Sequence, residues 1–161
     1  MMTYVITSVV ALAILALFLR GGNLHNYLVL ESEGILQDAG FKTHREYPQH
    51  LPDGVLDFID LLVQRGNCLI CIEVETSARH VLTNAAKAEQ LGLPLVVIVP
   101  TRKVKKAVQN KLSSSAIKPA GCDIYILLLS QLKQELTNCF PLFSPANEGW
   151  KNKKTNINKE K

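Results

Sequence analysis

The sequence predicts an α/β domain built on a mixed sheet, and three observations predict it. A helical stripe over 24–39 precedes three strand-like runs, 41–48, 55–63 and 68–75, joined by short turns. Helical and strand-like segments then alternate from 76 to 138. Within them LPLVVIVP (93–100) is a continuous apolar run of strand length, the pattern of a central strand buried on both faces. A meander followed by helical crossovers requires antiparallel and parallel neighbours in one sheet.

Composition agrees with one packed domain. The chain has 161 residues, enough for a single core, and 47% apolar with 20% charged residues excludes disordered and fibrous classes. Cys68, Cys71, Cys122 and Cys139 are too scattered for a disulfide scaffold and sit in apolar surroundings, which points to a reducing compartment. The net charge of +4 comes largely from Lys151, Lys153, Lys154, Lys159 and Lys161 in the last fifteen residues. The rest is nearly neutral, so charge alone does not announce nucleic acid.

Residues 1–19 contain no charged side chain and as a helix would reach roughly 28 Å, nearly a bilayer core. The run lacks a basic start and a small-x-small end, so it reads as an uncleaved anchor, residues 1–20, rather than a secretory signal. Arg20, Lys42 and Arg45 follow it, which predicts a single-pass membrane protein with its C-terminal domain cytoplasmic. Residues 21–23 read as a joint, 24–145 as the domain and 146–161 as a basic, disordered tail.

Each element of the domain has a local reason. Leu24, Leu28, Ile35 and Ala39 make the first helical stripe, closed by Gly40. The strands 41–48 and 55–63 flank the turn Leu51–Gly54, and Gly66-Asn67 leads into CLICIEVE (68–75). Thr76 or Ser77 is placed to cap the helix that Gly92 ends. A basic helix (102–112), a loop through 113–121, a strand (123–129) and a short helix (130–138) complete the domain.

Three acids carry the chemistry: Asp57, Glu73 and Glu75. The strand period of two puts Glu73 and Glu75 on one face of their strand, at its C-terminal end. If the preceding strand pairs symmetrically about Gly66, Asp57 lies opposite Glu75. Carboxylates gathered this way repel unless a cation neutralises them, and hard oxygen ligands suit Mg²⁺ or Mn²⁺. Glu31, seven residues after Leu24, is expected on the inward stripe of the first helix, where it needs a cation or an arginine. His80, Thr83 or Asn84, and Lys87 recur at helical spacing, and a lysine there can stabilise charge on a phosphoryl group or orient a water. Cys68-x-x-Cys71 is set aside as a zinc motif, because residues i and i+3 of a strand point to opposite faces.

The order αβββαβ, the segment Pro52-Asp53-Gly54-Val55-Leu56-Asp57, the 16-residue step from Asp57 to Glu73 and the strand end Ile72-Glu73-Val74-Glu75 resemble the core of the PD-(D/E)XK nuclease superfamily. The likeness spans about residues 24–112. It implies a restriction-endonuclease-like fold in which Asp57, Glu73 and Glu31 bind Mg²⁺ or Mn²⁺ and a motif lysine activates water. Position 75 is Glu, not Lys, and the resemblance makes Lys87 the substitute, with Glu75 as ligand or base. Arg79 and the helical cations Arg102, Lys103, Lys105 and Lys106 are the expected contacts to nucleic acid. The expectation is a membrane-anchored, Mg²⁺-dependent nuclease hydrolysing DNA phosphodiester bonds, with DNA the expected partner and RNA the lesser one. The alternative is a catalytically inactive relative that binds nucleic acid or a protein partner at the membrane.

Overall fold

The computed structural model describes residues 22–51, 54–115 and 122–137. The expected anchor, the Pro52-Asp53 start of the motif, and the C-terminal tail lie outside these. Among the described residues no helix is long and apolar enough to cross a membrane.

The elements run α1 (Gly22–Asp38), β1 (Lys42–His50), β2 (Leu56–Arg65), β3 (Cys68–Val74), α2 (Val81–Leu91), β4 (Leu95–Val99), α3 (Arg102–Ser114), β5 (Ile124–Leu128) and α4 (Leu129–Thr137). The five strands form one sheet in sequence order. β1–β2 and β2–β3 are antiparallel, whereas β3–β4 and β4–β5 are parallel, which makes the sheet mixed as the meander-plus-crossover pattern requires. Gly22 and Asn23, expected in the joint, already belong to α1.

Helices cover both faces. On one, Leu28, Val29 and Leu36 of α1 and Leu132 of α4 pack with Leu61, Val63, Ile70, Ile72, Val96 and Ile98. On the other, Val81, Ala85 and Ala88 of α2 and Val108 of α3 pack with Ile59, Leu62, Cys71, Leu95, Val97 and Val99. All five residues of β4 are buried, so this strand serves both cores. Cys68 packs against the first core and Cys71 lies in the second, on opposite faces of β3.

Two local expectations change. The Gly66-Asn67 turn, with Gly66 at φ +59°, makes a two-residue hairpin that pairs Arg65 with Cys68. That register is one residue away from symmetry about Gly66, and the paired stretch ends at Leu61↔Ile72. Asp57 is therefore not opposite Glu75. In addition, α2 starts at Val81, not after Thr76 or Ser77. Its N-cap is His80, with no side-chain cap, because Ser77 Oγ accepts the Arg79 N–H inside the preceding loop. Gly92 does end α2, at φ 63°, and its N–H meets the last carbonyls of the helix.

β2 kinks midway. Its register with β1 runs from Lys42↔Gln64 to Arg45↔Leu61, steps over Glu46 and Asp60, and resumes at Tyr47↔Ile59. Glu46 has φ 49°, a left-handed conformation that glutamate rarely adopts. The kink breaks the alternation of side chains: Leu61 and Val63 face α1, whereas Ile59 and Leu62 both face α2.

The doubly covered β4 predicts a large cost for a vacancy there. Ile98→Ala should lower unfolding free energy by about 2–5 kcal/mol in urea titrations.

Candidate functional site

Where β2 leaves β3, the two strands open into a fork lined with acids. Pairing has stopped at Leu61↔Ile72, and the next N–H on this edge of β3, that of Val74, is taken by a side chain: it donates to Asp60 Oδ2 at 2.7 Å. The same oxygen accepts from His25 Nε2 of α1 at 3.0 Å, which holds the ring proton on Nε2. The Asp60 carboxylate thus replaces a strand and ties α1 to the fork.

On the α2 face of the same fork, three residues singled out from sequence come together. Lys87 Nζ stands 2.7 Å from Glu73 Oε1 and 3.5 Å from Asp57 Oδ2, and donates to the Phe58 carbonyl at 2.6 Å. The Lys87 and Glu73 side chains are each 4% exposed, against 37% for Asp57, so the cluster meets solvent on the Asp57 side. The Glu73 contact is an ion pair by distance only; Oε1 is buried without a hydrogen bond of acceptable angle. Asp57 Oδ1 accepts the Phe58 N–H at 2.7 Å, which fixes its carboxylate at the strand start. Glu75 is buried beside them, and Asn84 Nδ2 donates to its Oε1 at 2.7 Å.

Why α2 delivers Lys87 and Asn84 follows from its stripe. Val81, Asn84, Ala85 and Ala88 fall at i, i+3, i+4 and i+7 and face the sheet, with Lys87 on the flank that overhangs the fork. Thr83 and His80 are exposed.

Electrostatically the fork is overloaded. Burial pushes the Glu73 carboxyl up to about 8, with the Asp60 charge adding to the rise and Lys87 opposing it. Burial likewise lifts Glu75 to about 7, again with Asp60 adding. His25 is raised by its hydrogen bond to Asp60. Four carboxylates face one ammonium and one imidazole. Burial relieves part of this crowding by keeping protons on Glu73 and Glu75 near neutral pH, and a divalent cation at Glu73 Oε1 would have to share or displace the Lys87 ammonium 2.7 Å away. Among the described residues no three His, Cys, Asp or Glu side chains form a ready-made metal set, and the Lys87 ammonium stands between Asp57 and Glu73.

Glu31 is the correction. It is exposed, outside the cluster, because the buried stripe of α1 runs through Leu28, Val29, Ser32 and Leu36. At 100° per residue Glu31 lies a quarter-turn off Ser32, whereas His25, seven residues before Ser32, lies on the stripe. His25 and Asp60 are the members that sequence reasoning missed. The signals were present: His25 extends the i, i+3, i+4, i+7 pattern, and a two-residue turn at Gly66-Asn67 sets Asp60 opposite Glu73.

The expected nucleic-acid contacts divide. Arg79 is exposed in the loop after Glu75, and its carbonyl accepts from Lys111 Nζ at 3.3 Å. Arg102, Lys103 and Lys106 are exposed on α3, but Lys105 Nζ is engaged with Gln131 Oε1 at 3.0 Å.

Two predictions follow the charges. Carboxyls raised in the folded state bind protons that the unfolded chain, near 4.5, has released, so they cost stability as pH climbs from about 4.5 to about 8. Glu75→Gln, which keeps an acceptor for Asn84, should raise Tm at pH 8 and leave it nearly unchanged at pH 4. Lys87→Met should cost about 3–5 kcal/mol at pH 8, where it strands buried carboxylates, and clearly less at pH 5, where Glu73 protonates. Thermal and urea denaturation across this range measure both.

Compared with models of known protein families and with curated protein sequences, the chain matches none.

Proposed function

We propose that the chain is a Mg²⁺-dependent nuclease of restriction-endonuclease-like fold. The observation that carries this reading is the meeting of Asp57, Glu73 and Lys87 at the β2–β3 fork. A lysine from α2 reaches the carboxylates at two strand ends, while the strand position two beyond Glu73 is itself an acid. Acids collected in a half-buried cleft, with an ammonium among them, are suited to phosphodiester hydrolysis and are a costly way to build a core.

Asp57 and Glu73 are the residues that would hold Mg²⁺ or Mn²⁺. Bound there, the ion supplies Lewis-acid polarisation of a phosphate oxygen and lowers the pKa of a water. The Lys87 ammonium neutralises charge that builds on the phosphoryl oxygens, and its bond to the Phe58 carbonyl fixes its position beforehand. Glu75, with its carboxyl near 7, is matched to taking a proton from water at neutral pH, and Asn84 orients it. Arg79, Arg102, Lys103 and Lys106 offer backbone contacts on the α2–α3 face without reading bases. Residues 1–19 would tether this activity to a membrane, with the domain on the cytoplasmic side.

A second reading has one observation in its favour. Lys87 Nζ is already engaged by Glu73 and Phe58 and is almost fully buried, as in a structural polar cluster. On that reading the fold binds nucleic acid or a protein partner at the membrane without hydrolysis.

Cleavage of labelled single- and double-stranded DNA and of RNA by the full chain, with Mg²⁺, Mn²⁺ or chelator, separates the two. The nuclease reading expects metal-dependent cutting, abolished in Asp57→Ala and lowered about 10²–10³-fold in Lys87→Met. Salt-sensitive binding without cutting would establish the second reading.

A further inference from the structure

Among the described residues, every large hydrophobic side chain that stands exposed falls in one of two stretches. Tyr27 and Leu30 lie in the first half of α1, and Tyr47, Val55, Leu56 and Phe58 lie where β1 runs into β2. The same stretches are poor in charge: described residues 22–30, 47–51 and 54–58 hold His25, His50 and Asp57 but no Lys, Arg or Glu. Exposed apolar side chains gathered in this way mark an interaction surface.

The two stretches meet at one end of the domain. Gln37 in the last turn of α1 donates to Thr43, which pairs with Val63, whereas His25 in the first turn meets Asp60. α1 therefore runs toward its N-terminus in the same sense in which β2 runs back toward residue 56. Phe58 and Leu56 extend roughly 7 and 13 Å beyond Asp60 along β2, past the first residues of α1. Strand alternation sets both on the α1 side of the sheet, with Pro48 and His50 opposite them, while Asp57 between them turns to Lys87 on the α2 side.

The adjoining chain indicates what this end meets. Residues 1–19 carry no charge, and only Arg20 and Gly21 separate them from Gly22, the first residue of α1. The three peptide units from Leu19 to Gly22 reach at most about 11 Å. With residues 1–19 in a bilayer, the start of α1 is held at the headgroups and the exposed rings beside it enter the same layer. Amphipathic tyrosine rings favour that layer, and an apolar strip sinks about 5–10 Å into it.

We propose that this end of the domain seats in the headgroup layer of a bilayer, with Leu56 and Phe58 inserted and Tyr27 and Tyr47 at the margin. The assignment rests on the membrane tether of the proposed function and deepens it. Because Asp57 lies between Leu56 and Phe58, the solvent-facing side of the Asp57, Glu73 and Lys87 cluster opens at the membrane surface. On the nuclease reading, nucleic acid is then met at the bilayer and not in bulk solution.

The test reconstitutes the full chain, carrying Trp150→Phe, in vesicles of phosphatidylcholine and phosphatidylglycerol, with one tryptophan introduced by Leu56→Trp, Phe58→Trp or Asn67→Trp. Asn67 lies in the turn at the other end of β2 and serves as the control. Flotation of the vesicles reports the tether, and quenching by lipids brominated high on their acyl chains reports the seating. Tryptophan at position 56 and at position 58 should be quenched at least about threefold more than at position 67, with emission at shorter wavelength. Both positions are exposed, so each variant should keep the Tm of the parent chain. Flotation with positions 56 and 58 quenched no more than position 67 would overturn the seating and leave the tether standing. Short-wavelength emission without quenching would assign the strip to a second copy of the chain and overturn the seating as well. A chain left behind when the vesicles float would refute tether and seating together.

Discussion

An ammonium held between two carboxylates in a nearly dry fork is the interaction around which this structure is arranged. Lys87 cannot leave its 2.7 Å contact with Glu73 without stranding a buried charge, and Glu73 and Glu75 already sit well above the ordinary carboxyl range. A hydrophobic cluster would hold β2, β3 and α2 together at lower electrostatic cost. The chain instead concentrates acids at the ends of two strands and brings one lysine to them from the helix packed on that face of the sheet. Residues kept against the local stability optimum in this way are the ones the proposed site uses.

The fork exists because β2 is bent. Glu46 in a left-handed conformation and Asp60 turned toward α1 interrupt the β1–β2 ladder at one level, and beyond that level β2 no longer pairs with β3. Asp60 then performs two jobs. It accepts the Val74 N–H that a neighbouring strand would have accepted, and it binds His25, which anchors α1 over the opening. The doubly buried β4 on the other side of β3 keeps this end of the sheet from yielding. Rigidity at β4 and irregularity at β2 are complementary: one supplies the scaffold, the other the cleft.

Much of this was legible in the sequence where a single period decided the outcome. The strand period put Glu73 and Glu75 on one side of β3, the continuous run 93–100 marked the central strand, and the likeness to the nuclease core, rather than helical spacing, pointed to Lys87 as a neighbour of the acids. Legibility failed where two elements had to be positioned relative to each other. A one-residue difference in hairpin register put Asp60 in place of Ile59 opposite Glu73 and took Asp57 from its expected place opposite Glu75, and no local pattern in β2 announces the kink that turns Asp60 toward α1. Likewise the first-helix stripe, anchored on Leu24, admitted Glu31; anchored on Ser32 it excludes Glu31 and takes in His25. The cap expected at Thr76 or Ser77 failed for a related reason, since Ser77 spends its hydroxyl inside the loop that carries Arg79.

The proposed nuclease reading requires that the fork admit a divalent cation at Asp57 and Glu73. Electron paramagnetic resonance of Mn²⁺ titrated into the full chain tests it most directly. The account predicts saturable binding to one site, lost in Glu73→Ala and competed by Mg²⁺. Absence of bound Mn²⁺ from the well-folded wild-type chain, or binding that survives Glu73→Ala unchanged, would contradict it.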